Sequence, residues 1–400
     1  MAIAPALAPA ALARISLGLA SALFLQSFVP SARQQVGRWV AVIDLRVAGD
    51  ADTEHWLTRI RDLVVGKDGR IYALDSGECT VHILERQGGH SGSFGRRGGG
   101  PGEFENPSAL GWRGDTLWVS DSRPLRMSLF TPDGGFVRSW RPYLPGSEDE
   151  SLVSVAGALE DGTLLLSPRM RMRSVDRYPS LLPLLRFKSD ADVVDTLAVL
   201  STRNQILAIR YRDWISFTYQ PFADGTLWNV SSSGDAIVLV NRAAASQSVG
   251  SYFQVTKLTS DGDTVFTRRF GYGPKRISKS EVNVIVSSLS ESRARRFPSE
   301  DAANHAVLEA LYLPEYHPPV TGALVGRDGT IWLRREMIAS TDSVLWLVLD
   351  GAGNSLGEVQ LSAGTRVAEA DRLFVWGIET TSLGVPYVVR YRLVASRGNR

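Results

Sequence analysis

The chain alternates short apolar runs with tight polar turns, and one such phrase recurs along it. It reads Lys67-Asp68-Gly69-Arg70-Ile71-Tyr72-Ala73-Leu74-Asp75, then Arg113-Gly114-Asp115-Thr116-Leu117-Trp118-Val119-Ser120-Asp121, then Glu160-Asp161-Gly162-Thr163-Leu164-Leu165-Leu166. Further copies stand at Ser233-Gly234-Asp235-Ala236-Ile237-Val238-Leu239, Arg327-Asp328-Gly329-Thr330-Ile331-Trp332-Leu333 and Ala370-Asp371-Arg372-Leu373-Phe374-Val375. Each is a turn followed by a strand, and a strand-forming unit repeating every ~40–50 residues marks a β-propeller.

After each phrase comes a second hairpin signal, such as Met127 to Val137 around Asp133-Gly134, or Trp346 to Gly357 around Asp350-Gly351. A unit is therefore a four-stranded antiparallel blade: an inner strand A, the phrase strand B, and the hairpin strands C and D. Along strand B both alternating sets are apolar. Tyr72, Trp118, Trp332 and Phe374 fill one column, and Ile71, Leu117, Leu164, Ile331 and Leu373 the other. A strand apolar on both faces fits blades packed against neighbours on either side.

In the fourth unit Asp224-Gly225-Thr226-Leu227-Trp228 and Gly234-Asp235-Ala236-Ile237-Val238 both match the phrase. They lie too close to head separate blades, so 226–231 is read as strand A and 236–241 as strand B. Six blades result. The last lacks a strand after 386–394, whereas Trp39 to Val47 is a strand without a blade. Pairing of 38–47 with 386–394 would close the ring and cover an exposed edge. Between Lys275 and Tyr316 the strand pattern stops. Ser278-Lys279-Ser280-Glu281 has capping-box spacing ahead of Val282, Ile285, Val286 and Leu289, and a second helical run spans Ser299 to Leu311. The expected fold is all-β: a six-bladed β-propeller over 38–395, its last blade closed by the N-terminal strand, with a helical insert at 276–316 between blades 4 and 5.

Composition changes this picture mainly at the N-terminus. Arg14 is the only charge before Arg33, and it precedes the apolar run Ile15 to Leu25 and the small residues around Pro30-Ser31-Ala32. Residues 1–32 read as a signal peptide, too short for a bilayer-spanning helix, so a secreted or periplasmic protein with no stable membrane span after cleavage is expected. The 44 basic and 42 acidic residues give a net charge of +2, which points to no nucleic-acid partner. Cys79 is the only cysteine, so no intramolecular disulfide can form; it reads as a small buried side chain on a strand.

At Gly98-Gly99-Gly100-Pro101-Gly102-Glu103-Phe104-Glu105-Asn106-Pro107, followed by the strand ending at Asp121, the chain resembles NHL-repeat proteins. It is also similar to exported bacterial six-bladed propellers that share this turn and a Pro-Pro element before the fifth blade, here Pro318-Pro319. The match covers units one and two. The resemblance implies mostly binding scaffolds, with lyases, lactonases and esterase-like hydrolases among the relatives, so it supports fold more than activity.

Strand order places all the Asp-Gly turns on one end of the ring. Candidate ligand residues then fall at the other end, just after strand B: Asp75, Asp121, Arg123, Arg169, Arg171 and Arg335. Such charges around a channel mouth suit a polar or anionic ligand, with solvated rim or inter-blade ion pairs as the competing reading. The run Arg169 to Arg173 reads as an exposed edge kept soluble by charge.

The glycine-rich run is not a phosphate loop, since a strand and no helix follows it. Gly353-Asn354-Ser355-Leu356-Gly357 matches G-x-S-x-G but lies between strands, so it is a turn. None of the five histidines, His55, His82, His90, His305 and His317, stands at close metal-ligand spacing. No catalytic residue, metal ligand or cofactor is assigned, although calcium on Asp75 or Asp121 with backbone oxygens, or zinc, stays open. The expectation is an exported monomeric propeller that binds a ligand or an envelope protein. The alternative is a propeller enzyme, a lyase, lactonase or esterase-like hydrolase with a channel metal.

Overall fold

The computed structural model describes residues 37–48, 57–122, 125–142, 153–168, 180–188, 193–243, 251–337 and 342–396. The chain begins with β1 (Gly37–Ala48). Blade 1 is β2 (Ile60–Val65), β3 (Ile71–Asp75), β4 (Thr80–Leu84) and β5 (His90–Phe94). Blade 2 is β6 (Pro107–Arg113), β7 (Thr116–Ser122), β8 (Leu125–Phe130) and β9 (Phe136–Trp140). Blade 3 is β10 (Val153–Ala158), β11 (Leu164–Pro168), β12 (Leu181–Lys188) and β13 (Val193–Ser201).

A separate hairpin follows, β14 (Ile206–Tyr211) and β15 (Trp214–Tyr219). Blade 4 is β16 (Leu227–Val230), β17 (Ala236–Asn241), β18 (Tyr252–Thr259) and β19 (Thr264–Gly271). Helices α1 (Lys279–Glu291) and α2 (Glu300–Ala310) come next. Blade 5 is β20 (Gly322–Val325), β21 (Ile331–Met337), β22 (Ser343–Leu349) and β23 (Ser355–Ser362). Blade 6 supplies β24 (Arg366–Ala370), β25 (Phe374–Thr380) and β26 (Pro386–Ala395).

The ring is visible in its hydrophobic clusters, each of which joins two consecutive blades. Tyr72, Leu74 and Val81 of blade 1 pack with Leu117, Val119 and Phe104 of blade 2. Trp118 and Met127 meet Leu164 and Leu166 of blade 3, and Leu165 meets Ile237 of blade 4. Val238 and Val255 meet Ile331 and Leu333 of blade 5, and Trp332 and Trp346 meet Val375 and Tyr391 of blade 6. Trp376 and Val388 return to Ile71 and Ala73 of blade 1, which closes the circle. Neighbouring residues of one strand thus serve two different interfaces, as the alternation of side chains requires.

The predicted column fails at one residue. Leu373 is 64% exposed and precedes β25. The Asp371 carboxylate accepts hydrogen bonds from the backbone N–H of both Leu373 (2.8 Å) and Phe374 (2.8 Å), so the turn absorbs Leu373 and the strand starts one residue later. Val375 fills the column instead.

Closure follows the expected scheme and extends it. β1 pairs antiparallel with β26, from Trp39 opposite Ala395 to Ala48 opposite Tyr387. Its first residues, Gly37 to Val40, also pair in parallel with Gly357 to Gln360 of β23. One strand therefore completes blade 6 and binds its outer edge to that of blade 5, merging the two into an eight-stranded sheet. Arg390 of β26 donates to Asp44 of β1 (2.9 Å) and to the Arg86 carbonyl of blade 1 (2.8 Å).

The helical insert also forms where expected. Ser278 caps α1 in a reciprocal box with Glu281, and Ser299 caps α2. Val286, Val307 and Leu311 cover Leu207 and Ile209 of the β14–β15 hairpin, an element the sequence pattern had not revealed. Its turn contains no glycine, because Arg212 itself adopts a positive φ of 50°.

Removing residues 37–48 should lower the thermal midpoint by ~10 °C or more, since it strips an edge from two blades at once. A synthetic peptide of those residues added back should recover part of the loss in a thermal melt. An unchanged midpoint would contradict the closure role.

Candidate functional site

In blades 1, 2, 4 and 6 the residues that end strand B or follow it hold loops. Asp75 is 0% exposed and accepts hydrogen bonds from the Thr58 N–H (2.6 Å) and hydroxyl (2.8 Å) and from the N–H groups of Arg59 (3.1 Å), Gly77 (2.8 Å) and Glu78 (3.2 Å). Burial raises its pKa, but these hydrogen bonds outweigh that and hold it below the usual carboxylate range. Asp121 accepts from the N–H groups of Glu105 (3.1 Å) and Asn106 (2.9 Å) and pairs with buried Arg126 (2.7 Å). Arg126 in turn donates to the carbonyls of Gly99 (2.8 Å) and Glu103 (2.6 Å), so the glycine-rich run is tied to strand B.

Blade 4 does the same job with the opposite charge. Arg242, just past β17, is buried and donates to the carbonyls of Gly225 (2.9 Å) and Val320 (2.6 Å). In blade 6 Glu379 takes hydrogen bonds from Thr365, Tyr387 and Tyr391. Each of these side chains clasps the connection that leads into an inner strand.

Arg335 is half-buried on β21 and has an interaction of its own. Arg123, Arg169 and Arg171 lie outside the described residues, as does the Arg169 to Arg173 run. None of Asp75, Asp121 and Arg335 lines the channel cavities.

The polar groups that do face the axis come mostly from the inner strands. A cavity of about 460 Å³ is lined by Asp62, Asn229, Thr321, Gly322, Arg334, Trp346 and the 363–368 segment. Thr321, Gly322 and Arg366 stand at the starts of inner strands, which places this cavity at the end opposite the Asp-Gly turns. A second chamber of about 140 Å³ continues toward those turns, past Ser231, Ser232, Trp118 and Glu369. Asp62, Asn229, Leu324 and Ala368 line both. At the turn end the backbone N–H of Trp112 in blade 2 donates to the Ser232 carbonyl of blade 4 (3.0 Å), which links the two blades that flank blade 3.

Burial pushes the Asp62 carboxyl up to about 6, against the charge of Arg366 and the N–H groups of Leu110 (3.4 Å) and Leu63 (3.0 Å). Deeper in, Glu369 is 2% exposed and is pushed up to about 8 by burial, while Ser232 and Arg327 oppose the shift and Asp62 adds to it. Its Oε1 has no hydrogen-bond partner, nor has the Nε1 of Trp118 in the same chamber.

The insert rises from the end of the ring where the large cavity opens, since it runs from the end of β19 to the start of β20. It leans on the hairpin before blade 4, through Gln220 to the Ala310 carbonyl (2.9 Å) and Tyr312 to Asp224 (2.9 Å). It supplies none of the residues lining the cavity. Among the described residues no group of three or more His, Cys, Asp or Glu is placed to hold a metal. No described helix is long and apolar enough to cross a membrane.

No protein-family model matches the chain, and no curated protein matches it. Among solved structures it is similar to a member of the DUF4221 family from Bacteroides vulgatus, at 9% identity over 89% of this chain and 98% of that one, with a TM-score of 0.49. It is similar to a putative exported protein from Bacteroides fragilis, at 10% identity over 88% and 95%, with a TM-score of 0.44. It is also similar to virginiamycin B lyase from Staphylococcus aureus, at 12% identity over 86% and 97%, with a TM-score of 0.42.

Two outcomes test these assignments. Asp121→Ala leaves Arg126 buried without its counter-charge and should cost about 3–5 kcal/mol in urea unfolding; a loss below ~1 kcal/mol would contradict the clasp. For Glu369, the folded pKa of about 8 exceeds the ordinary 4.5. Its contribution to stability is therefore fully present below pH 4.5 and is lost as pH rises through 8. Glu369→Gln should gain on the wild type across that window, by ~1–4 kcal/mol at its upper end. A difference that does not change with pH would show that the carboxyl is ordinarily solvated.

Proposed function

We propose that this chain is an exported propeller that acts as a binding module, taking a small polar ligand into the open end of its channel. One observation carries the reading: Asp62, Asn229, Thr321 and Arg366 converge from four different blades on a single cavity of about 460 Å³. A cavity of that size lies within the range of small-molecule sites, where a few placed polar groups orient the ligand. The clasps contribute indirectly, since they fix the starts of the inner strands that carry these groups. Export is supported by the single-charge, apolar segment before Arg33.

The test is a thermal-shift screen against polar small molecules, run in parallel on Gly364→Trp. Gly364 borders the cavity, and a Cβ there would meet nothing closer than the Ser362 hydroxyl at 3.7 Å, so the large side chain can enter the cavity without a clash at its base. Binders should raise the wild-type midpoint and lose that effect in Gly364→Trp. An empty screen, or shifts that persist in the variant, would overturn the reading.

A further inference from the structure

Arg334 lies on β21, the second strand from the axis, yet it lines the channel cavity. Its cross-strand partner on the inner strand is Gly322. Where a Cβ of residue 322 would stand, the Arg334 Cβ and Cδ are only 3.3 Å and 3.6 Å away. The missing side chain is what lets the arginine stem pass over the inner strand.

On its other side Arg334 is paired with Trp346, so Gly322, Arg334 and Trp346 form one row across blade 5. That row faces the 363–366 segment of blade 6 across the cavity. The adjacent Arg335 points to the opposite side of the strand, by the period-two alternation.

The Arg334 guanidinium has no hydrogen-bond acceptor or ionic partner among the described residues, and burial alone lowers its pKa. The neighbouring charges are already engaged. Arg366 donates to the Ile60 carbonyl (3.1 Å) and interacts with Asp62, whose carboxylate also takes two backbone N–H groups. Withdrawing a cation from water is costly unless it is paired, and among the described residues the one carboxylate lining the cavity, Asp62, is engaged by Arg366 and not by Arg334.

Building on the channel-binding reading, we infer that the ligand carries a single oxyanion, a carboxylate or a phosphate monoester, bound by the Arg334 guanidinium with the body of the ligand against Trp346 and Thr321. A guanidinium presents two parallel donors to either group, which makes it the residue suited to that recognition. Among the described residues the wall holds one unpaired positive charge, which favours one negative charge on the guest, and Asp62 would repel a second.

The experiment is calorimetric titration of the wild type, Arg334→Met and Gly364→Trp with small carboxylates, monophosphate esters and their uncharged amide and alcohol analogues. Anions of one class should bind, their neutral analogues at least tenfold more weakly, and Arg334→Met should lose at least tenfold in affinity for the anion. The class that binds identifies the oxyanion. Because Arg334 has no partner to lose among the described residues, Arg334→Met should keep or raise the thermal midpoint; a large drop would make the residue structural and overturn the inference.

If anions and neutral analogues bind alike, with binding abolished by Gly364→Trp, the oxyanion inference fails and the channel reading stands. If nothing binds, or Gly364→Trp binds normally, both fail.

Discussion

Everything in this molecule depends on the second strand of each blade being buried on both faces. Ile71 and Ala73 pack against blade 6 while Tyr72 and Leu74 pack against blade 2, and the same division recurs around the ring. Burying such side chains is worth roughly 1.5–3 kcal/mol each. A strand used in this way has almost no wet face on which to carry chemistry, and Arg334 reaches the channel only past the bare Cα of Gly322. Polar function is forced to the strand ends and to the inner strands, whose far side looks onto the axis.

The strand ends are taken by structure. Asp75, Asp121, Arg242 and Glu379 differ in charge and size, yet each holds a connecting loop by hydrogen bonds. What the position needs is a group that can satisfy backbone or hydroxyl partners in a buried place, and either sign of charge meets that need. The axis is left for polar groups that other parts of the protein do not fully use: Arg334 at the open end, Glu369 and Trp118 deeper in.

The fold was legible because its determinants are local. The Asp-Gly turns, the apolar alternation and the Ser278–Glu281 box all act within a few residues, so they can be read from the chain. Leu373 was misread because the Asp371 carboxylate lengthens the turn by one residue, a matter of hydrogen bonding and not of pattern. The β14–β15 hairpin was missed because Arg212 supplies the turn conformation that a glycine usually signals. The site was far less legible. That Asp75 meets Thr58, or that Gly322 opens a path for Arg334, depends on which strands lie side by side. A carboxylate within a mainly apolar inner strand, such as Asp62 or Glu369, is the one signal that could have pointed to the axis.

The closing strand has a consequence for how the protein comes into being. The chain emerges from synthesis with β1 first, but the partner of Trp39 is Ala395, near the other end. Until blade 5 exists the first strand has nothing to pair with, and its long antiparallel partner β26 comes only with the last blade. Joining ends so far apart is entropically expensive and slow, so the ring commits late and as a whole. The pairing that locks the ring therefore cannot be completed until synthesis has passed β26.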